Sequence, residues 1–198
     1  MGRLRHFDLK GLLDAHRCQV YIETRTGAGD DLQHAASFGF ERLFSAETDN
    51  EALNRARARL SHVPLVQLLF ATSEDVLRAV VPLVPAQMPI LFWLDGHAPG
   101  DAYRQAKYGP GGDASLRTPL ENLMTQLRQQ RPRSRDVILV NDLRCYEDGP
   151  YDGGALPAAD QKLAFYDRNI DFVFRLFRHT HTIVRDHADD GYLVLTPR

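Results

Sequence analysis

The sequence predicts an α/β fold: a mainly parallel β-sheet with helices on both faces, closed at the C-terminus by an antiparallel hairpin. Three observations carry this prediction. Apolar runs bounded by polar or turn residues read as buried strands at 18–23, 42–47, 65–70, 90–95 and 137–142. Segments of helical spacing alternate with these runs, which implies right-handed βαβ crossovers. The last two strand-like runs, 180–187 and 192–197, are joined only by residues 188–191. That link is too short for a parallel crossover and long enough for a hairpin.

The elements follow in order. In 49–60, Leu53, Ala56 and Leu60 share one helical face. In 118–130, Thr118 is a candidate cap, Pro119 suits the first helical position and Glu121 completes a capping box. Leu120, Leu123 and Leu127 then form the buried stripe of that helix. Segment 158–179 carries Leu163, Tyr166, Ile170, Val173, Phe174 and Phe177 at helical spacing. Two long connections, 96–117 and 143–157, read as lids or binding elements.

At 198 residues the chain is expected to be one domain over 1–198, and 43% hydrophobic with 25% charged residues is the balance of a folded globular protein. The formal net charge is −2 and the basic residues are scattered, with 128–135 the nearest approach to a basic patch. Nucleic acid is therefore not an expected partner. The N-terminal sixteen residues alternate charged and apolar types, unlike a signal peptide or membrane span. Cys18 and Cys145 beside apolar runs read as reduced thiols, so the expected address is the cytoplasm. A small-molecule partner and a possible homo-oligomer complete these expectations.

Ligands of an open parallel sheet sit beyond the C-terminal ends of its strands, so strand ends supply the candidate site residues. Strand one ends at Glu23 and enters a turn with Gly27 and Gly29, where glycine permits positive φ and close backbone approach. The same string also suits a plain strand-to-helix turn. Glu47 closes strand two about twenty residues after the glycines, where a carboxylate can accept from both hydroxyls of a ribose. Asp49 and Glu51 are read instead as helix N-terminal acids. Thr72 and Ser73 follow strand three, where a nucleobase would lie, and Ser73 is the candidate helix cap.

Strands four and five end in Asp95 and in Asn141-Asp142. Two carboxylates and an amide oxygen make a hard ligand set for Mg²⁺ or another divalent cation, able to acidify an acceptor hydroxyl. The alternative is that Asp95 orders its loop and Asn141-Asp142 turns the chain out of the sheet. His97 is a candidate general base. His179, His181 and His187 read as structural or exposed.

The segments 22-IETRTGAGDD-31, 44-FSAETD-49, 91-LFWLDGH-97 and 136-DVILVNDLRCYEDGPY-151 resemble the successive motifs of a bacterial class I methyltransferase-like family, E-T-G-T-x-x-G-D, S-I-E, F-W-L-D-G/A-H and I-x-I-D-D-x-R. The resemblance spans nearly the whole chain. It implies a Rossmann-like, seven-stranded fold with S-adenosylmethionine as cofactor, Glu23, Gly27 and Gly29 along its methionine part and Glu47 on its ribose. Asp95, Asn141 and Asp142 further resemble the metal positions of Mg²⁺-dependent small-molecule O-methyltransferases. The chain departs from the pattern at Arg25, which replaces the first glycine, and at Thr72, which replaces the aspartate of the adenine site. Arg25 either pairs with the donor's carboxylate or fills its pocket. The resemblance thus implies methyl transfer to a small-molecule hydroxyl, with Asp95 and His97 as catalytic candidates. A non-catalytic nucleotide- or partner-binding domain is the rival. A nicotinamide oxidoreductase ranks lower because the G-x-G-x-x-G turn is missing.

Overall fold

The computed structural model describes residues 3–95, 119–132, 135–155 and 168–198. Its strands are β1 (Val20–Glu23), β2 (Arg42–Glu47), β3 (Val66–Phe70), β4 (Ile90–Asp95), β5 (Val137–Asn141), β6 (His181–Asp186) and β7 (Tyr192–Pro197). They form one sheet in the order β3-β2-β1-β4-β5-β7-β6. The first five strands are parallel, and β7 runs antiparallel between β5 and β6. The hairpin between β6 and β7 turns through positive φ at Asp189 and Gly191. Each strand lies within two residues of its predicted run. β1 begins later than expected, at Val20, although Gln19 already bonds the backbone on both sides, to Pro89 and Glu41.

Two apolar layers cover the sheet, and strand alternation assigns each side chain to one of them. Tyr21, Leu43, Leu91, Trp93, Leu139 and Tyr192 point to the layer that holds Leu9 of α1 (Leu9–His16), Leu32 of α2 (Asp30–Ala35) and Leu60 of α3 (Asn50–Leu60). Ile22, Phe44, Phe92 and Val140 point to the opposite layer. There they meet Leu77 of α4 (Ser73–Val80), Leu123 of α5 (Pro119–Gln130) and Val173 of α6 (Asp171–Phe177). The stripes read from the sequence in α3 and α5 are the buried ones. Both cysteines are free and buried, and burial pushes the Cys18 thiol up to about 12.

The N-terminal ends of the strands are held by a buried ion pair. Arg131, just past α5, donates from Nε and Nη2 to Asp136 at 2.6 and 2.9 Å, and from Nη2 to the Met88 carbonyl at 2.8 Å. Asp136 Oδ1 in turn accepts from Ile90 N–H at 2.8 Å, and its carbonyl bonds His181 Nε2 at 3.0 Å. The starts of β4, β5 and β6 are thereby fastened to one helix end. The opposite end of the sheet is left for function.

Three expectations change. The cap of α4 is Thr72, whose hydroxyl accepts from Asp75 N–H, while Ser73 is the first helical residue. Segment 143–155 is no free lid: Leu143, Cys145 and Tyr146 are buried in the core, through a 3₁₀ turn that starts after Asp142. Of the helix expected over 158–179, residues 168–170 and 178–179 are not helical and Asp171–Phe177 is, while 158–167 lie outside the described residues. Residues 96–117, His97, Thr118, Leu163 and Tyr166 lie outside the described residues. No helix among the described residues is long and apolar enough to cross a membrane.

Candidate functional site

The β1–α2 turn is built around Glu47. Its Oε2 accepts from Gly27 N–H at 2.8 Å, and its Oε1 accepts from Thr48 and Asp49 N–H at 2.8 and 3.0 Å. The carboxylate thus closes β2 and fixes the glycine turn of the neighbouring strand. A carboxylate has about four acceptor sites, two on each oxygen, so these bonds fill Oε1 and leave Oε2 room for one ligand hydroxyl. Gly27 (φ +53) and Gly29 (φ +84) take the left-handed conformations that the turn requires. Gly29 also caps α2 against α3, where an added Cβ would stand 3.2 Å from Ala56 Cβ.

A pocket of about 150 Å³ opens at the C-terminal ends of β1, β4 and β5, walled by Arg25, Gly27, Asp31, Trp93, Asp95 and Asn141. The register explains this set: Glu23 lies opposite Trp93, Trp93 opposite Leu139, and Asp95 opposite Asn141, so all share the face covered by α1 and α2. Arg25 Nη1 donates to Asp95 Oδ2 at 3.0 Å, and Asp95 N–H donates to Thr24 Oγ1 at 3.0 Å. Behind the pocket, Phe7 and Tyr192 pack edge-on at 5.0 Å between centroids, and both lie about 6 Å from Trp93. The N-terminal segment is tied there by Leu4 N–H to Asp31 Oδ1 at 3.1 Å and by Arg3 N–H to Tyr192 Oη at 2.8 Å.

Glu23 points beneath the turn and is not part of the pocket wall. It is 1% exposed and accepts from Ser45 Oγ at 2.7 Å, with Ser45 bonded onward to Thr26 Oγ1 at 2.6 Å. Burial raises its carboxyl well above the ordinary range, against the Ser45 hydrogen bond that lowers it. The folded state therefore holds this proton more tightly than the unfolded chain. Its stabilising contribution is full below about pH 4 and is lost as pH rises through the raised folded value. Glu23→Gln, which cannot ionise, should match the wild type below about pH 4 and become progressively more stable than it as pH rises from there toward the raised folded value. Urea unfolding across that pH range measures the difference, and parallel pH profiles would contradict it.

The three metal-ligand candidates are not gathered into one site. Asp95 and Asn141 share the pocket, but Asp142 takes a left-handed conformation (φ 65) and accepts from Arg144 Nε at 3.3 Å. Arg144 reaches on to Asp190 at 2.9 Å. With one carboxylate bonded to Arg25 and the other to Arg144, a hard dication would have to displace two guanidinium groups to take this set. The residues as placed do not fit the cation. Among the described residues no group of three or more His, Cys, Asp and Glu could hold a metal ion.

Ser73 Oγ donates to the Thr24 carbonyl at 3.2 Å, which joins the β3–α4 loop to the end of β1, and neither Thr72 nor Ser73 lines the pocket. Asp31 and Trp93 do line it, and strand-end reasoning passed over both. Asp31 is the second acid of the doublet after Gly29, and Trp93 lies one alternation before Asp95.

No protein-family model and no curated protein matches the sequence. Solved structures do match in fold. A protein described as a caffeoyl-CoA O-methyltransferase from Staphylococcus aureus superposes with a TM-score of 0.67 at 11% identity, over 100% of this chain and 85% of that one. An rRNA methylase from Streptococcus thermophilus matches with 0.55 at 14%, over 100% and 98%. The N-methyltransferase NodS from Bradyrhizobium japonicum matches with 0.51 at 15%, over 98% and 95%. The fold is the Rossmann-like fold of class I methyltransferases, a mainly parallel seven-stranded sheet with the antiparallel hairpin inserted as β5-β7-β6.

Proposed function

We propose that this chain is an S-adenosylmethionine-dependent methyltransferase acting on a small-molecule acceptor. The observation that supports it most is the coincidence of this strand order with a pocket at the ends of β1, β4 and β5, beside a glycine turn braced by an acid at the end of β2. In this reading the donor lies along that turn, with Gly27 and Gly29 against its methionine part and Glu47 Oε2 accepting from a ribose hydroxyl. Arg25 takes its carboxylate, and Thr72 and Ser73 border its base. Transfer then needs in-line placement of the sulfonium methyl before a nucleophile and removal of one proton from the acceptor. Asp95, held by Arg25 and Thr24 at the pocket edge, positions the reacting groups.

Metal-assisted O-methylation, the route implied by the resemblance, requires Asp95, Asn141 and Asp142 on one cation, whereas Asp95 is bonded to Arg25 and Asp142 to Arg144. His97 remains a candidate base by its position after β4. The proposed protein works in the cytoplasm with a small-molecule partner and without nucleic acid or membrane. A ligand that binds only the native state stabilises it by mass action, about 2.7 kcal/mol at a hundredfold excess over Kd. S-adenosylhomocysteine should accordingly raise the melting temperature by several degrees at millimolar concentration. An unchanged melting temperature would favour the non-catalytic rival.

A further inference from the structure

This inference rests on the methyltransferase reading and names the chemical class of its acceptor. The pocket beside the glycine turn is furnished with acceptors. Asn141 is 4% exposed, and its Oδ1 is buried with no hydrogen-bond partner. A buried amide oxygen left unpaired costs free energy that a ligand N–H or O–H would recover. On the same wall, Asp30 is paired with Arg59 and Asp95 with Arg25. Asp31 accepts only the Leu4 N–H and has no ion pair among the described residues. Burial holds its carboxyl above the ordinary value. The indole of Trp93 lies in the same wall.

A carboxylate, an amide oxygen and an indole in one small pocket complement a cation rich in N–H donors. An oxygen acceptor matches this wall poorly. It must become an alkoxide or phenolate to react, and an anion beside the Asp31 carboxylate is repelled. A neutral amine meets no such penalty.

We propose that this pocket receives the ammonium end of an amine acceptor and that the methyl group goes to nitrogen. The bound ammonium gives one proton to the Asp31 carboxylate, which passes it to solvent. The nitrogen lone pair then attacks the methyl carbon of the donor sulfonium. The C–S bond breaks with its electron pair on sulfur, leaving a thioether, and the new N–CH₃ bond makes the product an ammonium again. Charge is conserved through the transfer.

The donor's own ammonium has the same chemistry, and a single experiment separates the two sources. Trp93 is the chain's only tryptophan, so its indole N–H resonance reports on this pocket alone. Phenethylamine and its near-isostere 2-phenylethanol are titrated against the ¹⁵N-labelled chain, with and without saturating S-adenosylhomocysteine. The expected result is that the amine shifts the indole resonance at a tenfold or more lower concentration than the alcohol, and still does so with S-adenosylhomocysteine bound. Asp31→Asn should abolish that preference, whereas Asn141→Asp, which adds a carboxylate to the same wall, should strengthen it several-fold. Equal responses to amine and alcohol overturn the proposal. So does an amine preference that vanishes once S-adenosylhomocysteine is bound, since the ammonium recognised is then the donor's. If S-adenosylhomocysteine perturbs no resonance, the methyltransferase reading fails instead, while the amine comparison in the free chain still tests the pocket.

Discussion

Arg131→Ala is expected to lower the unfolding free energy by about 3–5 kcal/mol, the cost of stranding one partner of a buried ion pair. The two side chains are only 4% and 3% exposed. The guanidinium also donates to the Met88 carbonyl at 2.8 Å, and Asp136 is committed to Ile90 N–H at 2.8 Å. Removing the arginine leaves a carboxylate in an apolar setting at the point where β4, β5 and β6 begin. The surviving charge, rather than the lost attraction, is the larger cost. Arg131→Met combined with Asp136→Asn should therefore recover much of the loss. Denaturant midpoints measured at an unchanged m value separate these outcomes. A loss below about 1 kcal/mol, the range of an exposed pair, would show that the clasp contributes little.

Gly29→Val is expected to destabilise by roughly 3 kcal/mol or more, as a sum of two effects. A β-branched side chain at φ +84 is strained by about 1–3 kcal/mol. Its Cβ would also stand 3.2 Å from Ala56 Cβ and 3.3 Å from Leu60 Cδ1, and overpacking of that kind costs typically about 1–3 kcal/mol more. Leu60 Cδ1 can turn aside, but Ala56 cannot, so α2 must ease away from α3 and strain the turn in which Gly27 N–H meets Glu47. The variant should therefore lose donor affinity as well as stability. Gly27→Ala, at φ +53 with nothing within 4 Å of the added Cβ, should bear the backbone strain alone and lose less. Equal losses at the two glycines would contradict the packing argument.

The fold was legible because strand and helix periods differ and because the last connection is so short. The 90–95 and 192–197 runs are strands to the residue, and each opens on an apolar stretch, 90–94 and 192–195, that is buried or half-buried beside its neighbours. The site was legible in position and less so in direction. Strand ends locate residues along the sheet axis, but facing follows the two-residue alternation. Asn141 and Asp142 are consecutive, so one cannot expect both to point into the same pocket, and the left-handed backbone at Asp142 takes its carboxylate to Arg144. Glu23 obeys the same rule in reverse. It shares the pocket's face with Trp93 but is consumed below the turn by Ser45, a partner that only the cross-strand register reveals. Glu47 met its expected place and proved to brace the backbone as well, a role that needs the Gly27 N–H within reach and is invisible in one dimension.

The most direct measurement is calorimetric titration of the wild type and of Glu47→Gln with S-adenosylhomocysteine, with NAD as the control. One site per chain is expected for S-adenosylhomocysteine and no heat for NAD. Replacing the Glu47 carboxylate should weaken binding by about 1.5–3 kcal/mol, the range for hydrogen bonds to a charged group, and should cost some stability through the three backbone N–H groups it serves. Absence of heat with S-adenosylhomocysteine from folded wild-type protein, or undiminished affinity in the variant, would contradict a donor site built on the glycine turn and Glu47.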